Sequence, residues 1–343
     1  MRKKEIPKIR DMEELIENQN ARKKKNKKKK VAIISVSAVL GVLFSLFLTL
    51  YFVAGNYFFL FALDARYETL SKAPDIEEIN EMPLPDVKAS WFKEAPKTIQ
   101  TIESDDGYKL RAYQILADNT MHKWVITVHG YRGNARDTGH FAEAYYNKGF
   151  NVLMIDLKGH GLSEGKYVGM GYTDRLDLLK WIDFVIQQDP IAKIVLHGVS
   201  MGAATVMLAT GESLPENVKC AVEDCGYSNV YDEFKYVAKR FLGLPFINTL
   251  ISSVNVFAQH RMNIDLRDVD CVEAVKKSIT PTMFIHGNQD TFVPFSMLDK
   301  LYNANPDLEK KKLIVDGASH GYSATLEPEL YFSEVFDFVN NYI

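Results

Sequence analysis

Lys193-Ile194-Val195-Leu196-His197-Gly198-Val199-Ser200-Met201-Gly202-Ala203-Ala204 is the stretch that decides the reading. Its first half is a short apolar run of strand length, and its second half opens a run of small residues of helix length. Between them stands Gly-x-Ser-x-Gly. Glycines flank the serine because a chain that turns abruptly from strand to helix leaves no room for larger side chains, and the turn lifts the serine hydroxyl above the strand end. The helix that follows points its N-terminal N–H groups and positive dipole end at any anion formed there.

Working outward, short apolar runs recur at Trp124–Val128, Phe150–Ile155, Ile194–Leu196, Val218–Val222, Thr282–Ile285 and Lys312–Val315. Amphipathic stretches at Arg136–Lys148, Tyr172–Gln188, Met201–Glu212 and Pro328–Tyr342 carry apolar residues three to four apart. That rhythm predicts an α/β domain with a mostly parallel sheet flanked by helices. A hairpin is expected at its start, where alternating residues flank Asp105-Asp106-Gly107. The 55 residues 226–280 interrupt the rhythm and are rich in aromatics. They are expected to form two or three helices, either packed on the sheet or serving as a lid over a site.

A serine hydroxyl becomes a nucleophile only beside a base that is itself oriented by an acid. His320, in the loop Asp316-Gly317-Ala318-Ser319-His320-Gly321, is the expected base. Asp290, in His286-Gly287-Asn288-Gln289-Asp290, is the expected acid, with Asp224 as an alternative at another strand end. An oxyanion hole needs two backbone donors. Met201 supplies one, and Tyr131, in His129-Gly130-Tyr131-Arg132-Gly133, is expected to supply the second. His129 is read as structural, and Asp156 and His160 as organisers of a tight loop.

Taken together, the His-Gly-Tyr loop, Asp156-x-x-Gly-His-Gly-x-Ser163, Gly-x-Ser-x-Gly, Glu223-Asp224-Cys225-Gly226-Tyr227, His286-Gly-x-x-Asp290-x-x-Val293-Pro294 and Ser319-His320-Gly321 resemble the α/β-hydrolase superfamily. Within it the chain looks like the membrane-anchored bacterial hydrolases related to Bem46-type proteins, which also resemble serine aminopeptidase-like and esterase-lipase domains. The resemblance covers about residues 88–343. It implies the α/β-hydrolase fold, Ser200 as nucleophile, Asp290 as acid, His320 as base, and neither organic cofactor nor metal. The expected activity is cleavage of a small-molecule or lipid carboxylic ester. A peptidase or amidase on the same triad is the alternative, with a non-catalytic surface-binding protein behind it.

The N-terminal part is of another kind. Val31–Leu63 is a run of 33 residues without a charged side chain. Val31–Gly55 alone exceeds the roughly 20 residues that cross a hydrocarbon core of about 30 Å. Residues 1–30 hold 13 Lys or Arg against 5 Asp or Glu, whereas the rest holds 28 against 39. The basicity therefore belongs to the tail, and the acidic remainder excludes a nucleic-acid surface. Positive flanks stay inside, so a single-pass anchor is expected, with a cytoplasmic N-terminus and an extracytoplasmic catalytic domain. A cleaved signal peptide fits less well, because the apolar run is too long and no small-x-small cleavage site follows it. The expected division is a basic tail at 1–30, an anchor at 31–55, a juxtamembrane segment and linker at 56–96, and a hydrolase domain at 97–343. Tyr57, Phe58, Phe59 and Phe61 are expected to form an aromatic shelf at the outer interface, and a soluble fragment to begin near Lys72. The three cysteines are too few for a disulfide framework and are expected to be reduced and buried. No Asn-x-Ser/Thr acceptor occurs, which favours a bacterial surface.

Overall fold

The computed structural model describes residues 9–66, 91–117, 121–243, 246–306 and 309–343. The chain divides into two compact units, Met1–Ala54 and Gly55–Ile343. The first unit is helical from Ile9 onward and includes the basic run Arg22–Lys30; its helix, α1, spans Ile9–Leu63, so the last turns belong to the second unit. By length and composition α1 is apolar enough to cross a membrane.

In the second unit, β1 (Lys97–Glu103) and β2 (Lys109–Ile115) form the expected hairpin, with Gly107 at φ 82° in its turn. There follow β3 (Lys123–Val128), α2 (Gly139–Tyr146), β4 (Asn151–Ile155), α3 (Asp174–Gln188), β5 (Lys193–Val199), α4 (Met201–Thr210) and β6 (Val218–Asp224). The insertion after β6 contains α5 (Val230–Val237), a π-helical turn Ala238–Leu242, α6 (Ile247–Met262) and α7 (Cys271–Val275). The chain closes with β7 (Thr282–Gly287), α8 (Ser296–Ala304), β8 (Lys311–Val315), α9 (Ser323–Leu326) and α10 (Pro328–Val339). The strands form one sheet in the order β1-β2-β4-β3-β5-β6-β7-β8. From β4 to β8 every pairing is parallel, while β1 and β2 join antiparallel. This is the α/β-hydrolase fold.

Because strand side chains alternate between faces, β5 feeds two cores. Ile194 and Leu196 pack into one layer, with α3, α4 and the insertion. Val195 enters the other, with α2 and α10. All ten residues of α4 are buried, as its small side chains permit. Cys220, Cys225 and Cys271 are free thiols in the interior.

One stretch departs from the sequence reading. Phe59 and Leu63 are fully buried and belong to the main hydrophobic core of the second unit. Phe59 meets the rings of Tyr167 at 5.4 Å and Phe257 at 6.2 Å. Residues 55–66 are thus part of the hydrolase unit, whereas the sequence suggested an aromatic shelf and a linker from 56 to 96. An uncharged aromatic run has the same composition whether it faces headgroups or a protein core, and only the long-range partners separate the two. A fragment begun at Lys72 would leave Phe59 and Leu63 out of that core. Of the rest of the expected linker, residues 67–90 lie outside the described residues, as do residues 1–8 of the basic tail, and Phe92 and Ala95 near its end are buried in the second core.

Candidate active site

Ser200 closes the turn between β5 and α4 with φ 57° and ψ −119°, a conformation that costs about 1–3 kcal/mol for a residue with a side chain. Close packing holds it there. A Cβ on Gly198 would stand 2.2 Å from the Gly202 carbonyl oxygen, and one on Gly202 would stand 2.1 Å from that of Val128. Both glycines are therefore required by backbone approaching backbone. The Ser200 N–H donates to the Asp224 carbonyl at 2.8 Å, tying the turn to β6.

The structure brings the three distant residues together. His320 Nε2 lies 2.8 Å from Ser200 Oγ, and His320 Nδ1 lies 2.7 Å from Asp290 Oδ2. Asp290 Oδ1 accepts the N–H groups of Phe292 at 2.9 Å and Val293 at 3.0 Å. Burial alone would raise the Asp290 pKa, but the hydrogen bonds from His286 and His320 hold it below the usual carboxylate range. Asp290 is therefore ionised, His320 carries its hydrogen on Nδ1, and the Nε2 lone pair faces Ser200.

His286 stands out in the sequence only as part of a motif, yet it is a neighbour of the acid. Its Nε2 stands 3.1 Å from Asp290 Oδ2 and 3.2 Å from the Val293 carbonyl oxygen. Since a carbonyl only accepts, that nitrogen carries a hydrogen and shares it. Its Nδ1 is buried without a hydrogen-bond partner among the described residues. Glu233, on α5, was also missed. It is 3% exposed, both its oxygens lack hydrogen bonds among the described residues, and burial, then the charge of Asp290, pushes its pKa up to about 8. A lone glutamate in an amphipathic stretch reads as a solvated residue, so no local signal marked it.

The loop after β3 runs against the serine. A Cβ on Gly130 would lie 3.3 Å from Ser200 Cβ, which brings the Gly130–Tyr131 peptide beside the hydroxyl. Met201 opens α4, where the first-turn N–H groups have no partner within the helix. His129 and His160 are elsewhere engaged. His129 Nε2 accepts from the Leu157 N–H at 3.1 Å, and His160 Nε2 accepts from the Arg132 N–H at 3.2 Å. Burial lowers their pKa values to about 4 and about 3, so both are neutral. Asp156 accepts the Ala135 and Leu162 N–H groups at 2.7 and 2.9 Å, the loop-organising role expected of it. Asp224 accepts from the Tyr331 hydroxyl at 3.0 Å.

Among the described residues one trio, Cys225, Asp290 and His320, has potential ligand atoms within 4.8 Å of one another. The carboxylate and imidazole are already bonded to each other, and burial pushes the Cys225 thiol well above its ordinary pKa, so it is a protonated and poor metal ligand. Over the site, Phe292 lies 5.0 Å from the His320 ring and 6.2 Å from Phe241 of the insertion. Phe241 and Tyr322 are exposed, and the Tyr236 hydroxyl donates to the Thr291 carbonyl at 3.2 Å. The insertion thus both packs on the sheet and reaches the histidine's surroundings.

Residues 119–244 match the family described as Serine aminopeptidase, S33. The chain is 26% identical over 251 residues to the uncharacterised protein YqkD of Bacillus subtilis, covering 73% of this chain and 81% of that one. It is 27% identical over 202 residues to the lysophosphatidylserine lipase ABHD12 of Rattus norvegicus, covering 55% of this chain and 46% of that one. Among solved structures, an esterase of Pyrococcus furiosus, Pf2001, superposes with a TM-score of 0.60 at 23% identity, over 72% of this chain and 92% of that one. By its sheet order the chain has the α/β-hydrolase fold, and by these relationships it is similar to members of the α/β-hydrolase superfamily.

Proposed function

We propose that this chain is a serine hydrolase that cleaves carboxylic esters through an acyl-Ser200 intermediate. One observation carries the reading: a strained, turn-borne serine hydroxyl lies 2.8 Å from an imidazole whose other nitrogen lies 2.7 Å from an ionised aspartate. As Ser200 Oγ attacks the ester carbonyl carbon, His320 Nε2 takes its proton, and Asp290 stabilises the imidazolium. The carbonyl oxygen becomes an oxyanion held by the Met201 and Tyr131 N–H groups, each such donor contributing about 10²–10³ in rate. His320 then delivers its proton to the departing alkoxide, which leaves as an alcohol. Water, deprotonated by the same nitrogen, attacks the acyl-enzyme, and Ser200 is restored as the acid departs.

Exposed aromatics beside His320 favour an apolar acyl group or a lipid-like ester, and the relationship to a lysophosphatidylserine lipase supports that substrate class. In this reading Val31–Gly55 anchors the chain in a membrane, Arg22–Lys30 stays on the cytoplasmic side, and the hydrolase unit acts outside. The family description as serine aminopeptidase favours a second reading, amide cleavage on the same triad. Paired kinetics on p-nitrophenyl acyl esters and aminoacyl p-nitroanilides, with Ser200→Ala as control, separate them. Ester turnover abolished in the variant is expected; a preference for the anilide would overturn the ester assignment.

A further inference from the structure

The last four carbonyls of a helix have no partner within it and must be satisfied from outside. At the end of α1, where residues 60–63 belong to the hydrolase unit, Leu60 keeps a helical bond to Asp64 and the other three find partners elsewhere in that unit. The Leu60 carbonyl accepts from the Asp64 N–H at 3.1 Å and that of Leu63 from the Val168 N–H at 2.9 Å. The Ala62 carbonyl accepts from the Tyr131 hydroxyl at 2.8 Å, and that of Phe61 from the Arg132 guanidinium. Tyr131 and Arg132 are the two residues that follow Gly130 in the loop lying against Ser200. The loop is therefore also the cap of the last turn of α1, with a cation at the negative end of that turn.

Arg132 adds a reason for the loop to need that cap. Its φ is 57°, a left-handed conformation unfavourable for a residue with a side chain. Its backbone N–H donates to His160 and its guanidinium to the helix end, so both ends of the residue are fixed. The same segment touches the insertion. Gly55 passes so close to α6 that a Cβ there would fall 1.8 Å from Ser253 Oγ. Arg261 donates to Asn56 Oδ1 at 2.6 Å and lies over the Phe59 and Phe257 rings at 5.1 and 5.0 Å.

We propose that residues 55–66 are a positioning element of the active site, a clamp whose carbonyl end aims the Tyr131 N–H of the oxyanion hole. The proposal rests on the serine-hydrolase reading above. Without the cap, Arg132 relaxes from its left-handed conformation and rotates the neighbouring peptide, so the donor is misaimed while the substrate pocket and the triad remain. The effect falls on kcat and leaves KM alone.

The test uses full-length protein in detergent micelles, with p-nitrophenyl ester turnover and thermal unfolding measured on wild type, Tyr131→Phe, Arg132→Met, Arg132→Lys and Ser200→Ala. Tyr131→Phe deletes one hydroxyl and leaves the backbone N–H in place. It is expected to lower kcat roughly tenfold, a fraction of the 10²–10³ lost with a whole oxyanion donor, at unchanged KM. Arg132→Met should do the same, and Arg132→Lys should recover most of the loss. If Tyr131→Phe and Arg132→Met keep kcat within twofold of wild type, or lower only the melting temperature, the clamp is wrong. Should Arg132→Met fail to fold, Tyr131→Phe alone decides. Turnover that persists in Ser200→Ala would instead overturn the hydrolase reading.

Discussion

Two buried aspartates stand at the ends of neighbouring parallel strands, Asp224 closing β6 and Asp290 just past β7, and burial acts on both in the same direction. Their carboxylates nevertheless end up on opposite sides of the ordinary value. Asp290 receives two backbone N–H groups on one oxygen and two imidazoles on the other. Asp224 receives the Tyr331 hydroxyl on one oxygen, and its other oxygen has no partner among the described residues. Burial therefore wins at Asp224, pushing its pKa up to about 6, and loses at Asp290. Position at a strand end does not keep a buried acid ionised; the number of donors it receives does.

The largest expected effect separates the two directly. Asp290→Asn should lower kcat for ester hydrolysis by roughly 10³–10⁴, because His320 loses the partner that fixes its tautomer and stabilises its charge. Asp224→Asn should leave kcat within about threefold, since its carboxylate bonds Tyr331 and not the histidine. Steady-state kinetics on both variants check this, and the reverse ranking would make Asp224 the acid.

The next effect is on stability. An aspartate titrates near 3.9 in the unfolded chain. With a folded value of about 6, the native state binds the extra proton between these limits, so stability falls as pH rises through that window. At neutral pH the penalty is on the order of 3 kcal/mol. Asp224→Asn should therefore melt at a higher temperature than wild type at pH 8, with the gap closing towards pH 4. Asp290 acts with the opposite sign: its contribution is present above the unfolded value and is lost only in strong acid, as pH falls through the folded one. A melting-temperature difference between wild type and Asp224→Asn that is flat in pH would contradict the contrast.

The smallest effect concerns His286. Removing its hydrogen bond in His286→Leu leaves Asp290 more basic, which favours the His320 imidazolium. The acid limb of the kcat/KM profile should shift to higher pH, with about a tenfold loss at neutrality, corresponding to about 1.4 kcal/mol. His286→Gln, which keeps a donor, should recover part of it. An unshifted limb would confine His286 to packing.

The three side chains proposed as a triad were legible in the sequence because each sits in a local pattern. Gly198 and Gly202 mark the turn at Ser200, and His286-Gly287 and Ser319-His320-Gly321 mark the loops after β7 and β8. The parallel sheet was legible from apolar runs of strand length. What escaped depends on partners far away in the chain. Phe59 looks like a lipid-facing aromatic until Tyr167 and Phe257 are beside it. Glu233 looks solvated until α5 turns it inward. Helix α8 leaves a weak signal because Ser296–Ala304 is only nine residues long and lies between two strong strand signals.

Covalent trapping reads out whether Ser200 is the activated nucleophile. A fluorophosphonate probe applied to the full-length protein in detergent should label wild type, with the adduct mass on the peptide containing Ser200, and should leave Ser200→Ala unlabelled. Equal labelling of both proteins, or an adduct on a different residue, would contradict the account.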